Sequence, residues 1–167
     1  MSGPVVRPAG VGDAAACARI QVRAWHTAFA DLVLPELTPT VAEQAEQWTA
    51  ALADPQVRAI VAEVGGTVHG FVAFGPARDA DADEAGEIYA LFVDPVAQGA
   101  GLGGLLLREA EGALRFDGHA VAVLWTPEGS LVREMYERRG YVVDRGATPD
   151  HGVLELPEVR YRGPLPD

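Results

Sequence analysis

The chain is poor in residues that staple a fold from outside. Cys17 is the single cysteine among 167 residues, which excludes an internal disulfide and any cysteine-based metal cluster. It lies in an alanine-rich helical run, where a thiol acts as a small buried apolar group. Long apolar runs are missing as well. No stretch approaches the roughly 18–20 continuous apolar residues of a membrane span. The opening Met1-Ser2-Gly3-Pro4-Val5-Val6-Arg7 lacks the basic start, apolar centre and small-residue cleavage site of a secretory signal. A soluble, cytoplasmic protein is expected, with no membrane partner. Positive charge is scarce: 13 basic residues stand against 24 acidic ones, for a net charge of −11. That argues against a nucleic-acid partner, which needs a basic face. An acidic surface draws cations by long-range attraction or serves solubility alone. Any anionic ligand therefore needs a local cradle. His69, His119 and His151 show no His-x-x-x-His spacing, so no metal site is expected. Internal repeats, low-complexity tracts and long linkers are absent. The length fits a single domain over 1–167, and 49% hydrophobic residues suffice for its core.

Periodicity supplies the element order. Pro4 to Pro8 predicts a short first strand. Asp13 is a candidate N-cap for a helix to about Ala30. Cys17, Ile20, Ala24 and Ala28 form one apolar stripe on it, and Val22, Trp25, Phe29 and Leu32 a second. Thr38-Pro39 places cap and proline for a second helix ending near Ala53. Val57–Val64 and Val68–Gly75 are strands joined at Gly65-Gly66. An acidic loop, Asp79 to Glu84, precedes a strand over Ile88–Val93. A helix follows over Leu102–Leu114, then a strand over Ala120–Trp125 and a short helix over Leu131–Arg139. Tyr141–Val143, Val153–Leu156 and Val159–Arg162 are the final strands. Hairpins and crossovers both occur, so the expected class is α/β with a mixed sheet.

The informative segment is Gln98-Gly99-Ala100-Gly101-Leu102-Gly103-Gly104, between a strand and a helix. The first turn of a helix carries unpaired N–H groups and the positive end of the dipole. Glycines let backbone approach a ligand without Cβ interference. Together they suit a pyrophosphate. A Walker A loop is excluded, because no Gly-Lys-Ser/Thr follows. Gly99 to Gly104 satisfies Gly-x-Gly-x-x-Gly, the dinucleotide fingerprint. That fingerprint belongs after a first strand with a parallel sheet built behind it. Here several strands come first, one hairpin among them, and too little chain follows.

Gln98 to Gly103 resembles the Gln/Arg-x-x-Gly-x-Gly/Ala signature of the GNAT superfamily of acetyltransferases. Tyr136-Glu137-Arg138-Arg139-Gly140-Tyr141 resembles that superfamily's second signature, Tyr-Glu-Arg-x-Gly-Phe/Tyr. The resemblance is tight over about Glu87 to Tyr141. Ala24 to Phe29 also resembles a first-helix pattern of uncharacterised bacterial members. The resemblance implies the GNAT fold: a mixed, mostly antiparallel sheet of about seven strands with four helices and splayed central strands. It implies acetyl-CoA as cosubstrate. The pantetheine arm would pair with the backbone of Leu91, Phe92 and Val93. The pyrophosphate would lie on amides of Gln98, Gly99, Ala100, Gly101, Leu102, Gly103 and Gly104. One position departs from the pattern. Many members carry an asparagine seven residues before the second-signature tyrosine, and here Gly129 stands there.

Amine acetylation needs a neutral amine, although a free alkyl ammonium has a pKa near ~10.4. It also needs a polarised carbonyl and a stabilised leaving thiolate. Glu87, eleven residues before Gln98, matches a catalytic glutamate of some members and is the candidate base. Tyr136 matches the tyrosine that faces the cofactor sulfur and is the candidate acid. The N–H of Phe92 or Val93 is the candidate oxyanion donor. Trp25, His26 and Phe29 are candidates for acceptor contact, although Trp25, Phe29 and Trp48 also suit a core. The expected activity is acetyl transfer to a primary amine of a small molecule, amino-acid derivative or protein. The alternatives are a CoA-binding sensor without turnover and a dinucleotide-dependent oxidoreductase. Monomer and homodimer stay open.

Overall fold

The computed structural model describes residues 3–148, 154 and 156–167. The chain runs through β1 (Val5–Pro8), α1 (Ala14–Ala28), α2 (Val41–Ala53), β2 (Arg58–Val64), β3 (Thr67–Pro76) and β4 (Gly86–Val93). It continues through α3 (Leu102–Phe116), β5 (Val121–Pro127), α4 (Arg133–Arg138), β6 (Val142–Thr148) and β7 (Glu158–Pro164). The expected order is thus found, apart from the strand expected over 153–156. The strand expected over 153–156 lies outside the described residues apart from Leu154 and Leu156, and His151 lies outside them too. No helix among the described residues is long and apolar enough to cross a membrane.

Seven strands form one sheet in the order β1-β2-β3-β4-β5-β7-β6. Neighbours are antiparallel except β4 and β5, which run parallel with α3 as the crossover that parallel strands require. The expected mixed, mostly antiparallel sheet with four helices is what the chain forms. On one face, α1 and α2 bury Cys17, Ala18, Ile20 and Trp48 against Val61, Phe71 and Ala73. There burial pushes the Cys17 thiol up to about 12. On the other face, Leu106, Leu107, Ala110 and Leu114 of α3 are fully buried and pack on Val72, Phe74, Ile88 and Leu124. Their spacing follows the 3.6-residue period, and each fully buried leucine stabilises the fold by about 1.5–3 kcal/mol.

Two local expectations shift. Helix α1 ends at Ala28, so the outer members of its two stripes, Ala28 and Leu32, are exposed. Helix α2 takes its cap from Thr40 rather than Thr38. The Thr40 hydroxyl accepts from the Glu43 N–H at 3.1 Å, a reach only the residue just before the first turn has. Thr38 instead donates to the Pro35 carbonyl at 2.6 Å.

Candidate active site

Strand β4 is the spine of the site. It pairs with β3 along its whole length, but with β5 only at Gly86, Glu87 and Ile88. Beyond Ile88 the two central strands diverge, as the expected splay requires, and the β5-facing edge from Tyr89 to Val93 carries no ladder. A bulge sharpens the divergence. Ala73 faces Ala90 while Phe74 faces Ile88, which leaves Tyr89 as the extra residue. An inserted residue increases local twist and re-aims the strand. At the end of the strand, Gln98 Nε2 donates to the Val93 carbonyl at 3.1 Å.

The glycine run follows directly. Asp94 turns the chain: its carboxylate accepts from the Val96 N–H at 3.1 Å and pairs with Arg23 of α1 at 3.2 Å. Gly99 and Gly101 both adopt the left-handed region, at φ 85° and 82°, which side chains rarely tolerate. A Cβ at either position would project into open space. Helix α3 closes its first turn with the Leu105 N–H on the Gly101 carbonyl at 3.1 Å. The amides of Leu102, Gly103 and Gly104 therefore stand before the first intrahelical bond. An unpaired strand edge leading into an open, amide-lined glycine turn fits the expected pantetheine and pyrophosphate placement.

A cavity of about 430 Å³ occupies the splay. Glu87, Leu91, Phe92, Tyr136, Trp25 and Phe29 all line it, so the structure brings these sequence candidates together. His26 does not join them. It is exposed at the end of α1, with Nε2 2.7 Å from the Thr38 hydroxyl. Trp25 packs edge-on against Phe92 with ring centroids 6.1 Å apart, so it is at once core and wall.

Glu87 is buried, and both of its oxygens accept hydrogen bonds. The Arg78 N–H reaches one at 2.9 Å and the Arg78 guanidinium reaches the other at 2.8 Å. Each oxygen keeps a further lone pair for an amine or a water. Tyr136 is 6% exposed, and its hydroxyl makes no hydrogen bond to a described residue. Its ring sits edge-on to Tyr141 and tilted over Tyr161. Tyr141 donates to Glu111 at 3.0 Å, and Arg133 donates to the Tyr161 hydroxyl at 2.8 Å. Burial alone pushes the Tyr136 phenol well up. It is a poor proton source but a permanent hydrogen-bond donor at neutral pH.

Behind the lining residues Asp79 and Trp125 lies an ion network. Arg160 of β7 is 3% exposed and holds Asp79 at 3.1 Å, Asp81 at 2.7 Å and Asp144 at 2.8 Å. Asp79 also accepts from Trp125 Nε1 at 2.8 Å. Two carboxylates of the acidic loop are thus tied to the sheet, and the loop is not simply solvated. Sequence reasoning missed Arg78, Trp125 and Arg160, because no spacing links them. At Gly129, a Cβ would stand 3.1 Å from Leu32. Leu32 fills the place where a longer side chain would lie.

Among curated proteins, none matches the chain in sequence. Solved structures do match. An N-acetyltransferase, PaiA, of Thermoplasma acidophilum, in complex with coenzyme A, is 14% identical, with 98% of this chain and 99% of that one covered at a TM-score of 0.75. YncA of Salmonella typhimurium, a putative acetyltransferase solved with acetyl-CoA, is 24% identical over 99% and 96% of the two chains at 0.72. The ribosomal-protein-S18-alanine N-acetyltransferase of Escherichia coli is 16% identical over 99% and 96% at 0.74. These similarities establish the fold. The model of the acetyltransferase (GNAT) family matches residues 19–141, so the chain belongs to the GNAT family of acetyltransferases.

Proposed function

We propose that the protein is an N-acetyltransferase that passes the acetyl group of acetyl-CoA to a primary amine by direct attack in a ternary complex. The acceptor is a small molecule, an amino-acid derivative or a protein amine. The observation that carries this reading is the cavity at the splay, which a buried carboxylate and a buried phenol line beside the unladdered edge of β4. In this reading the pantetheine arm lies along Leu91, Phe92 and Val93, and the pyrophosphate lies on amides of Gln98 to Gly104. The amine nitrogen attacks the thioester carbonyl, and the N–H of Phe92 or Val93 receives the developing oxyanion. Glu87 takes the amine proton, directly or through water. The carbon–sulfur bond breaks, and the Tyr136 hydroxyl donates to the departing thiolate. Orientation of the two reactants supplies most of the rate. The absence of long apolar helices among the described residues accords with a cytoplasmic enzyme.

The test is a panel of primary amines with acetyl-CoA, read as release of free CoA thiol. Amine-dependent release with a stoichiometric acetylamide product is expected. Tight acetyl-CoA binding with no release across the panel overturns turnover and leaves a CoA-binding sensor. Calorimetric binding of NAD in preference to acetyl-CoA overturns both.

A further inference from the structure

A second cavity, of about 670 Å³, lies between α1, α2 and the β3–β4 face. It shares Gln21, Arg78, Tyr89 and Ala90 with the cavity at the splay. The bulge explains this sharing: two successive β4 residues, Tyr89 and Ala90, reach the same side of the sheet. At the seam the Arg78 guanidinium lies over the Tyr89 ring, 4.4 Å from its centroid. The Tyr89 hydroxyl donates to the Pro76 carbonyl, so both groups at the seam are held in place.

The second cavity has an amide lining. Gln21 is 6% exposed and Gln44 is 5% exposed. Gln21 Oε1 accepts from Trp48 Nε1 at 2.8 Å, which leaves its NH2 without a partner among the described residues. The Gln44 side chain bonds to no described residue at all. Both amides keep hydrogen-bonding capacity open to the cavity they line, and a polar occupant can use it in place of water. Charge sorts the possibilities. Arg78 is already paired with Glu87 at 2.8 Å, so no free cation awaits a carboxylate at the seam. Asp54 stands at the exposed mouth, with Oδ1 accepting from the Gln56 N–H at 2.8 Å. The guanidinium at the seam also repels an ammonium passing inward. A neutral group that both donates and accepts matches a glutamine amide in the way another amide does.

We propose that this cavity is the distal acceptor subsite, and that it selects an amine whose far end carries a carboxamide or peptide amide. The amine then lies in the splay beside Glu87 and the chain of the acceptor crosses the seam. Gln21 and Gln44 hold the amide. The proposal rests on the acetyl-transfer reading for the position of the amine.

The test uses ω-amino carboxamides of three to six carbons, with the matching ω-amino acids, diamines and alkylamines as comparisons. Binding is measured calorimetrically to the full chain saturated with CoA, so no turnover is needed. One carboxamide is expected to bind at least tenfold tighter than its carboxylate, diamine and alkyl counterparts. Gln44→Leu is expected to remove that preference while leaving alkylamine and CoA affinity unchanged. Gln44→Glu checks a leucine variant that folds poorly, and the same loss of amide preference is expected. Equal binding across the four end groups overturns the subsite, as does a preference that survives both variants. The acyl-transfer reading fails separately, when amides bind through Gln44 and no acetylamide forms from acetyl-CoA.

Discussion

Two walls flank the splay, and they are built from different materials. On the side proposed for the cofactor, one continuous segment from Leu91 to Gly104 offers backbone: an unladdered strand edge, then a turn in which Gly99 and Gly101 sit at positive φ. On the side proposed for the acceptor, side chains from separate stretches of chain converge behind Asp79 and Trp125, which line the cavity. Asp79 and Asp81 come from the acidic loop, Trp125 from β5, Asp144 from β6 and Arg160 from β7. A backbone site tolerates side-chain change wherever the turn is kept, so it appears as a motif. A side-chain site depends on every member being present and aimed, so it leaves no local signature.

Tyr136 lines the cavity between the walls, and replacing it gives the largest expected effect. Tyr136→Phe should lower turnover by about ten- to a thousandfold, the range of a lost acid or oxyanion-type donor, with acetyl-CoA affinity nearly unchanged. Steady-state kinetics beside calorimetry separate the two. Lost affinity with retained turnover would assign Tyr136 to packing on the cofactor side.

Arg160→Met tests the acceptor wall alone. It strands carboxylates around a buried position and should destabilise the fold by about 3 kcal/mol, read as a lower urea midpoint with an unchanged slope. Affinity for acetyl-CoA should persist in the folded fraction. A variant as stable as its parent would show that solvent already screens these aspartates.

Gly101→Val tests the cofactor wall alone. It forces a β-branched residue to φ near 82° and puts side chain where phosphates would lie. Acetyl-CoA affinity should fall tenfold or more, about 1.4 kcal/mol. Gly103→Val, whose Cβ would stand 3.6 Å from Met135 Sδ, should behave similarly. Unchanged affinity in a folded double variant would remove the pyrophosphate from this turn.

Glu87 lies where the walls meet. Glu87→Gln should slow turnover by about three- to tenfold near neutral pH and recover at high pH, where free amine is abundant. A raised KM with intact kcat would instead make Glu87 the residue that positions Arg78 and the acceptor.

The smallest expected effect lies outside both walls. Burial raises the Cys17 thiol from 9.0 to about 12, so the unfolded chain loses this proton first as pH rises. The contribution is fully present below about 9 and lost progressively up to about 12. Raising pH from 8.5 to 9.5 should cost about 0.7 kcal/mol at this site. Cys17→Ala should flatten that part of a thermal-melt profile. An equal slope in the variant would shift the effect to other groups.

By itself the sequence determined the order of elements, the mixed sheet and the glycine turn before α3, because each rests on local physics. The apolar period of Leu106, Leu107, Ala110 and Leu114 dictates one buried helix face. Glycines at 99 and 101 permit a backbone turn that few other residues allow. The cap of α2 moved from Thr38 to Thr40 because both threonines precede a helical run and only loop geometry separates them. Adjacency groups His26 with Trp25 and Phe29, yet the helical turn carries it to the exposed side. What only the tertiary structure decided is which charges meet. Arg78 finds Glu87 because β3 and β4 are antiparallel neighbours, and Arg160 finds three aspartates because the sheet stacks β5, β7 and β6 in an order that differs from the chain's. The buried amides of Gln21 and Gln44 follow from packing α1 and α2 across the bulged strand. Contacts between distant segments are set by the whole sheet, and no window of sequence contains them.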